Sequence, residues 1–499
     1  MKMFKKALSI ILCAVMIFVM AVPAFAQSEN VICPTIYLPG IDSSYIYKDV
    51  SNPVEGINEI DKDAVTSMLK EEIVPALIVY AADGDADNLA HKISDVVNTV
   101  FADYFNDPDG TAAGNSGVIN SYPSVIRKNA NLYFSYDWRG DPIVIASELD
   151  AYIDYVIEKS GADKVALTSH SMGSLIILAY LSLYGDDKVA GIVLDSPVIE
   201  GVTYVGELLC GEAEFTSEGF EMFFKSVMGE TEYQELAASS MDILEMAGVS
   251  GLATDFLGDT MKKIGPVFFR ESLVPLFGRW LTIWAMCPEG KMDQAIDFVF
   301  SNMPENEDAN ALRAKIEDYN ARVRENRMDT LLDFDEKGRF AVISRYGYSS
   351  LPVTASWDLL GDAVVETESS SFGATTAVYG DYFDDAYLEG KDMKYISPDK
   401  TVDASTCLFP EKTWFIKNLI HTQAGETKDI KAQLLFGEKE AVCDDFSMGR
   451  FIIYDVETQT FSIDESVPVK AEKPTPLQRL FNFLKAFFEK IIDFFTRKK

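Results

Sequence analysis

The stretch of sequence that decides the fold is KVALTSHSMGSLIILAYL, residues 164–181. An apolar run typical of a strand leads directly into small residues around Ser171, and an apolar run typical of a helix follows. Such a turn lifts the serine above a sheet, and its neighbours must be small so that the strand and the helix can pack closely. The pattern is G-x-S-x-G, with Ser169 at the first glycine position and Gly173 at the last. We therefore predict Ser171 to be a nucleophile; the alternative is an ordinary turn whose serine caps the helix.

The segments around this turn repeat the order strand, loop, helix. Four short apolar runs are typical of buried strands: Val31–Leu38, Leu132–Tyr136, Ala190–Asp195 and Phe340–Ser344. A stretch with apolar residues at helical spacing, Asp141–Ser160, lies between the second run and the turn. Strands that alternate with helices predict right-handed crossovers and a parallel sheet. The predicted fold class is therefore α/β, with a mostly parallel sheet and helices on both faces.

Two long segments interrupt this repeat. Residues 54–130 contain helical stretches at Val65–Tyr80 and Ala90–Phe105, and residues 199–337 are rich in phenylalanine and methionine and lack strand patterns. We predict that residues 27–198 and 338–465 form the sheet domain, with 54–130 as a helical insertion. We predict that residues 199–337 form a helical cap, the alternative being a separate helical domain.

A serine hydroxyl needs a base that takes its proton and an acid that orients the base. At strand-to-helix turns of this kind the order along the chain is serine, acid, histidine. The chain has three histidines. His91 precedes the serine, and His170 is its neighbour and is expected to point away across the turn. His421 is the only histidine downstream, and we predict that it is the base rather than a histidine without function.

The acid should follow the strand at Phe340–Ser344 and lie in a loop. Asp362 fits best, because a glycine precedes it and a pair of valines follows shortly after. Asp358 and Asp403 are the alternatives. Each of the three carboxylates also has the simpler interpretation of a solvated surface charge.

The tetrahedral intermediate of such a reaction needs two backbone N–H donors. One should come from Met172, the residue after the nucleophile, and the other from the loop after the first strand. That loop reads Leu38-Pro39-Gly40-Ile41-Asp42. We predict the Ile41 amide as the second donor, with Gly40 allowing its close approach; an ordinary turn glycine is the alternative.

These motifs together resemble the α/β-hydrolase superfamily. They are the Pro39-Gly40 loop, the run Tyr136-Asp137-Trp138-Arg139, the His170–Gly173 turn, the Gly361-Asp362 turn and a late histidine. The closest resemblance is to lipases and lecithin:cholesterol acyltransferase-like enzymes, in which a Y-D-W-R segment follows an early strand. It covers about residues 31–198 and 339–425 and implies the α/β-hydrolase fold with a serine-hydrolase site.

The sequence departs from that family in places. Ser169 replaces a glycine, and Val365-Glu366 stands where Val-Pro is common. These departures leave the reaction class intact and concern the substrate. We expect Tyr136–Arg139 to be a packing cluster in which Arg139 pairs with an acid, rather than a catalytic element.

Composition and charge set limits on function. The chain has 499 residues, of which 48% are hydrophobic, so it can bury a large core. Its 44 basic residues against 78 acidic ones give a net charge of −34, which disfavours binding to nucleic acid. Neither histidine spacing nor cysteine spacing suggests a metal site, and Asp83–Asn88 departs from a calcium loop at its sixth and twelfth positions. We predict no cofactor and no metal.

The two ends of the chain differ from the middle. Residues 1–26 have lysines, an apolar run and an A-x-A site, the pattern of a secretory signal peptide, with a retained membrane anchor as the alternative. Residues 466–476 read as a linker and 477–499 as a basic amphipathic helix for a membrane surface or a partner. Docking of that helix on its own domain is the alternative.

Five cysteines follow the predicted signal peptide, and no disulfide is required among them. Taken together, the sequence predicts a secreted serine hydrolase of carboxylic esters, with lipid esters as the first substrate class and acyl transfer left open. One alternative is a hydrolase of soluble esters or peptides. Another is a surface-binding protein that keeps the fold and has lost activity.

Overall fold

The computed structural model describes residues 33–57, 62–212, 214, 217–228, 260 and 263–470. Its central feature is an eight-stranded sheet. The strands of this sheet, β1–β8 in chain order, are Thr35–Leu38, Asn131–Tyr133, Val165–His170, Val189–Asp195, Arg339–Tyr346, Thr413–Lys417, Phe451–Asp455 and Thr460–Ile463. Short antiparallel pairs outside this sheet join Tyr348–Ser349 to Leu360–Gly361 and Thr375–Thr376 to Val402–Asp403.

The order of strands across the sheet is β8-β7-β6-β5-β4-β3-β1-β2. Neighbours from β2 to β7 are parallel, and β8 is antiparallel to β7. Because parallel strands end at the same edge, the residues after β1, β3, β4, β5 and β6 come together at the carboxyl edge of the sheet. The mostly parallel sheet that the sequence predicts is confirmed.

Helices cover both faces of the sheet. The α-helices are Lys62–Met68, Val74–Asp83, Ala86–Val100, Pro142–Ser160, Gly173–Tyr184, Thr203–Leu209, Ser217–Met228, Val274–Phe277, Leu281–Ala285, Met292–Ser301, Glu307–Arg322, Arg327–Lys337, Thr367–Ser370, Asp385–Leu388 and Lys428–Phe436. Shorter π-helical and 3-10 segments are Leu69–Ile73, Ala102–Tyr104, Phe269–Leu273, Glu289–Lys291, Arg324–Asn326, Met393–Tyr395, Ala404–Thr406 and Cys443–Asp445.

The strands bury alternate residues in two layers of core, as the pleat requires. Leu167 belongs to a cluster with the helices Pro142–Ser160 and Gly173–Tyr184, whereas its neighbour Ala166 belongs to a second cluster with Lys428–Phe436. The central strand β3 is therefore buried along its whole length. The helices on both faces hold the carboxyl edge in a fixed geometry.

The helix predicted at Asp141–Ser160 is observed over Pro142–Ser160. The Asp141 carboxylate accepts a hydrogen bond from the Ile143 amide at 2.9 Å, and Pro142 occupies the first turn, where its missing N–H is no loss. Gly161 ends the helix with a φ of 63°. The sequence signals for both ends of this helix act as expected.

The stretch predicted to be helical at Val65–Tyr80 is helical throughout and contains a π-helical turn. It consists of Lys62–Met68, the π-helical turn Leu69–Ile73 and Val74–Asp83. Pro75 lies in the first turn of the last helix, and because proline has no N–H the regular hydrogen-bond ladder cannot run through it. The second predicted stretch is observed as Ala86–Val100, so helices do occupy this segment.

The described part of residues 199–337 contains helices but no β-strand. The boundaries proposed for the cap, the sheet domain and the 54–130 insertion stay predictions.

The predicted signal peptide 1–26, the helix 477–499 and the linker beyond Lys470 lie outside the described residues. No helix in the described ranges is long and apolar enough to span a membrane. The five cysteines there are free, buried thiols.

Candidate active site

Ser171 lies at the sharp turn between β3 and the helix Gly173–Tyr184. Its φ is 53°, a left-handed backbone conformation that residues other than glycine adopt rarely and at a cost in energy. Its amide donates to the Asp195 carbonyl oxygen at 2.9 Å, which ties the turn to the end of β4. The predicted strand-to-helix turn is therefore present, with the serine in the strained conformation.

Close packing around the turn explains the small residues beside the serine. A Cβ on Gly173 would lie 2.3 Å from the Leu38 carbonyl oxygen, a distance that excludes any side chain there. A Cβ on Gly40 would lie 3.1 Å from the Cβ of Ser171. The loop after β1 is therefore in direct contact with the turn. Ser169, at the relaxed glycine position, is fully buried, and its hydroxyl has no hydrogen-bond partner.

His421 and Asp362 lie together at the same edge of the sheet. His421 Nδ1 is 2.7 Å from Asp362 Oδ2, and the His421 amide donates to the Asp362 carbonyl oxygen at 2.9 Å. Both side chains are buried. The base and the acid that the sequence predicts are thus joined by two hydrogen bonds, one through side chains and one through the backbone.

The Asp362 carboxylate is held by further donors. Oδ1 accepts from the amides of Val364 at 3.1 Å and Val365 at 2.7 Å, and Oδ2 accepts from the Ser196 hydroxyl at 2.7 Å. Burial alone would raise the pKa of this carboxyl, but the neighbouring His421, with Arg345 and Ser196, lowers it to about 2. Asp362 is therefore ionised and fixed in orientation.

Neither of the two alternative acids contacts His421. The Asp403 carboxylate binds Lys391 Nζ at 2.8 Å and the Tyr387 hydroxyl at 3.0 Å. The Asp358 backbone carbonyl accepts from the Tyr379 amide at 2.7 Å, and no contact joins its carboxylate to His421. Of the three candidates, Asp362 is the carboxylate that His421 meets.

His170, the neighbour of Ser171 in the chain, lies next to the ring of His421. The rings of His170 and His421 lie 4.5 Å apart between centroids. Among the described residues, the Ser171 hydroxyl makes no hydrogen bond to His421. Such contacts are often long in enzymes without substrate and shorten in the complex. The catalytic roles of Ser171, His421 and Asp362 accordingly stay predictions.

The predicted oxyanion donors flank Ser171. Neither the Ile41 amide nor the Met172 amide has a hydrogen-bond partner in the described part of the chain. The loop carrying Ile41 is braced by the Tyr136 hydroxyl, which donates to the Pro39 carbonyl oxygen at 2.5 Å. Two amides without partners beside the serine are available for an oxyanion.

The Tyr136–Arg139 run forms the packing cluster that the sequence predicts. Arg139 is fully buried, and its Nε and Nη2 donate to the two oxygens of Asp137 at 3.0 and 2.7 Å.

The acidic turn at Asp83–Asn88 has a local structural role. The Asp85 carboxylate accepts from the Asn88 amide at 3.1 Å and caps the helix Ala86–Val100.

Sequence reasoning missed the polar residues at the end of β4. Ser196, with a φ of 47°, bonds Asp362, and Asp195 is fully buried beside the His170 ring, with Nδ1 to Oδ2 at 3.8 Å. Burial and the charge of His421 lower the pKa of His170 to about 3, so that ring is neutral. An Asp-Ser pair directly after the apolar run Ile192–Leu194 was a signal that could have identified both residues.

A comparison with protein families gives a match over part of the chain. The family model described as "alpha/beta hydrolase fold" matches residues 133–230. A comparison with curated proteins found no match to the chain. The solved structure titled "The crystal structure of Tle4-Tli4 complex" is similar over 36% of this chain and 48% of that one, about half its length, with 15% identity and a TM-score of 0.19.

The family match and the sheet together establish the fold. The matched residues begin in β2 and include β3, the Ser171 turn and β4. The chain therefore has the α/β-hydrolase fold, as the sequence predicts, and a fold of this kind points to hydrolase activity.

Proposed function

We propose that the chain is a serine hydrolase that cleaves carboxylic esters through a Ser171-His421-Asp362 triad. The observation that carries the proposal is the buried 2.7 Å contact between His421 and Asp362 at the edge where Ser171 takes a strained φ of 53°. A base oriented by an ionised acid, beside a serine on such a turn, is the arrangement that activates a hydroxyl.

The reaction runs in two halves. Ser171 Oγ attacks the ester carbonyl carbon while His421 takes the hydroxyl proton, and the imidazolium then gives that proton to the departing alkoxide as the C–O bond breaks. Water attacks the resulting acyl-serine with His421 again as base. The imidazolium then returns the proton to Ser171 Oγ as the bond between Oγ and the acyl carbon breaks, and the acid product leaves. Asp362 stays ionised throughout and stabilises the imidazolium. An alcohol in place of water would make the second half an acyl transfer.

The oxyanion is bound by the amides of Ile41 and Met172 in this proposal. The support is that neither amide has a partner among the described residues and that Gly40 brings the loop of Ile41 against the serine. Donors that are already oriented need not reorganise when the negative charge develops on the carbonyl oxygen.

Lipid esters are the proposed substrate class. The support comes from the phenylalanine- and methionine-rich residues after β4, the described part of which lies close to the acid. The Thr203 amide donates to Glu366, four residues after Asp362, and the helix Ser217–Met228 packs against Tyr348–Ser349. An apolar segment over the site suits a long acyl chain.

We further propose export, with cleavage before Gln27 and a membrane-surface or partner contact through residues 477–499. The sequence patterns of both ends support this. Expression in a secreting host should give a mature chain whose first residue is Gln27. Deletion of residues 474–499 should reduce pelleting with liposomes, and unchanged pelleting would contradict the membrane contact.

The test of the reaction is labelling with a fluorophosphonate, which reacts with activated serines. Wild type should be labelled, Ser171→Ala should not, and His421→Ala should react far more slowly because its serine lacks a base. Ser169→Ala is the matched control, since it removes a hydroxyl two residues away that has no partner, and it should label like wild type.

The substrate class is tested separately. Long-chain esters should turn over faster when presented in micelles than as monomers, if the natural substrate lies at an interface. Equal turnover of soluble esters with and without micelles would favour a soluble-ester hydrolase. Absence of labelling by folded wild type, with and without micelles, would contradict the proposal and favour a binding protein.

A further inference from the structure

A buried group of charged side chains lies next to the loop that carries His421 and takes no part in the proposed reaction. Asp195 ends β4 and Arg345 lies in β5, and both are fully buried. Arg345 Nε donates to Asp195 Oδ1 at 3.0 Å and Nη2 to Oδ2 at 2.8 Å. Two parallel bonds of this kind fix the plane of the guanidinium group.

The remaining donor group of Arg345 is directed at the base. Nη1 donates to the Ile420 carbonyl oxygen at 3.0 Å and to the His421 carbonyl oxygen at 3.4 Å. The guanidinium therefore connects the Asp195 carboxylate to the backbone of His421 itself. The ammonium group of a lysine could not bond to the Asp195 carboxylate and to the His421 backbone at the same time.

Asp195 also holds the far end of the same loop. The Thr427 hydroxyl donates to Asp195 Oδ2 at 2.5 Å, and Lys431 Nζ donates to it at 3.1 Å. Both residues belong to the end of the loop and the helix Lys428–Phe436 that follows. One carboxylate thus fixes residues 418–427 near the base and again where the helix begins.

The negative charge of Asp195 is maintained in spite of burial. Burial would raise the pKa of Asp195, but the charges of Arg345 and Lys431 hold it well below its usual range. Apolar residues of similar volume often stabilise a fold as well as a buried ion cluster does. What the cluster adds is a unique geometry for the groups that it binds.

We propose that Asp195 and Arg345 are positioning residues that fix the loop of His421, so that its imidazole faces Ser171. This inference rests on the proposed function. Arg345→Lys tests it, because the charge is kept and the planar fork is lost. Thr427→Val is a milder variant that removes one bond to Asp195 and keeps the shape of the side chain.

The matched control is Arg139→Lys. Arg139 and Asp137 form another fully buried guanidinium with two bonds to one carboxylate, and this pair does not contact the His421 loop. Arg345→Lys should lower kcat on a short-chain ester by about 100-fold, the scale of a misplaced catalytic group, with KM little changed. Thr427→Val should lower kcat less, and Arg139→Lys should leave kcat per folded molecule unchanged.

Hydrogen exchange of residues 418–427 gives a readout that does not depend on activity. Protection there should fall in Arg345→Lys and Thr427→Val and stay at the wild-type level in Arg139→Lys. Unchanged kcat and unchanged protection in folded Thr427→Val and Arg345→Lys would overturn the positioning role while the proposed function stands. Loss of protection in Arg345→Lys and Thr427→Val, together with a wild-type protein that no fluorophosphonate labels, would instead support the anchoring and refute the reaction.

Discussion

Two histidine–aspartate pairs lie side by side at the carboxyl edge of the sheet, and they differ in almost every property that matters for catalysis. In the first, His421 Nδ1 is 2.7 Å from Asp362. In the second, His170 Nδ1 is 3.8 Å from Asp195, and this nitrogen has no hydrogen-bond partner in the described structure. The two rings are only 4.5 Å apart between centroids.

The difference lies in what else binds each carboxylate. Asp362 is held by neutral donors, two amides and a hydroxyl, and these leave its charge available to an imidazolium. Asp195 is occupied by a guanidinium and an ammonium group. A carboxylate near a histidine therefore does not by itself form a catalytic pair. The carboxylate must also be free of a guanidinium or ammonium group that binds it more strongly than the imidazolium does.

The largest expected effect separates the pairs by activity. Asp362→Asn should lower kcat by roughly 10⁴-fold, because the histidine loses its orientation and the counter-charge for the imidazolium. His170→Gln should change kcat by less than about tenfold, since His170 takes no proton in the mechanism. Steady-state kinetics on a short-chain ester measures both variants. A loss in His170→Gln as large as in Asp362→Asn would mean that the assignment of the pairs is wrong.

The second-largest expected effect is on the pH dependence of the free energy of unfolding, to which the two histidine–aspartate pairs contribute in different pH ranges. The pKa of His170 falls from 6.5 to about 3, chiefly through burial, so the unfolded chain takes up the proton first and stability is lost as the pH falls from 6.5 towards 3. The Asp362 pKa falls from 3.8 to about 2, against the effect of burial, so its contribution is lost only between 3.8 and 2.

Urea unfolding at a series of pH values measures these two windows. His170→Gln should flatten the free energy of unfolding in the upper window, and Asp362→Asn in the lower one, each by a few kcal/mol. If Asp362→Asn flattened the upper window instead, the charges assigned to the two pairs would have to be exchanged.

The smallest expected effect concerns a third carboxyl beside the first pair. Burial raises the pKa of Glu366 from 4.5 to about 7, and the charge of Asp362 adds to the shift. The folded state therefore holds this proton more tightly, and the stabilisation is lost as the pH rises from 4.5 through 7.

Glu366→Gln imitates the protonated carboxyl and should remove the loss of stability that wild type shows as the pH rises. The variant should be more stable than wild type by about 3 kcal/mol at pH 8 and by less than about 1 kcal/mol at pH 5. Thermal unfolding at the two pH values is the measurement. Equal stability at pH 8 would show that Glu366 is already relaxed towards solvent when ionised.

Much of the fold could be predicted because its first half carries strong local signals. The runs that form β3 and β4 contain the apolar stretches Val165–Leu167 and Ile192–Leu194, as expected of strands buried on both faces. The strands β6, β7 and β8 were not predicted: Thr413–Lys417 and Phe451–Asp455 are five residues long and lie between irregular loops, so periodicity has little to act on.

The residues of the candidate site also fall into two groups, those that the sequence indicates and those that it does not. Ser171, Asp362 and His421 could be proposed because a motif, a turn and a shortage of histidines each reduce the candidates to a few. Arg345 and Lys431 could not, because nothing in a sequence distinguishes a buried arginine from a surface one. Their role follows from a contact across 150 residues between β5 and Asp195.

The strand order has a consequence for how Ser171 could be reached by a bulky molecule. The chain leaves the carboxyl edge after β4 and returns at the opposite edge, where β5 begins at Arg339. The eight residues of β5 separate those edges by roughly 26 Å at ~3.3 Å per residue. The segment that joins β4 to β5 is therefore anchored at opposite edges of the sheet. If a bulky molecule reaches Ser171 by movement of the backbone just after Val198, the bonds of Ser369 to Gly201 and of Thr203 to Glu366 must break first.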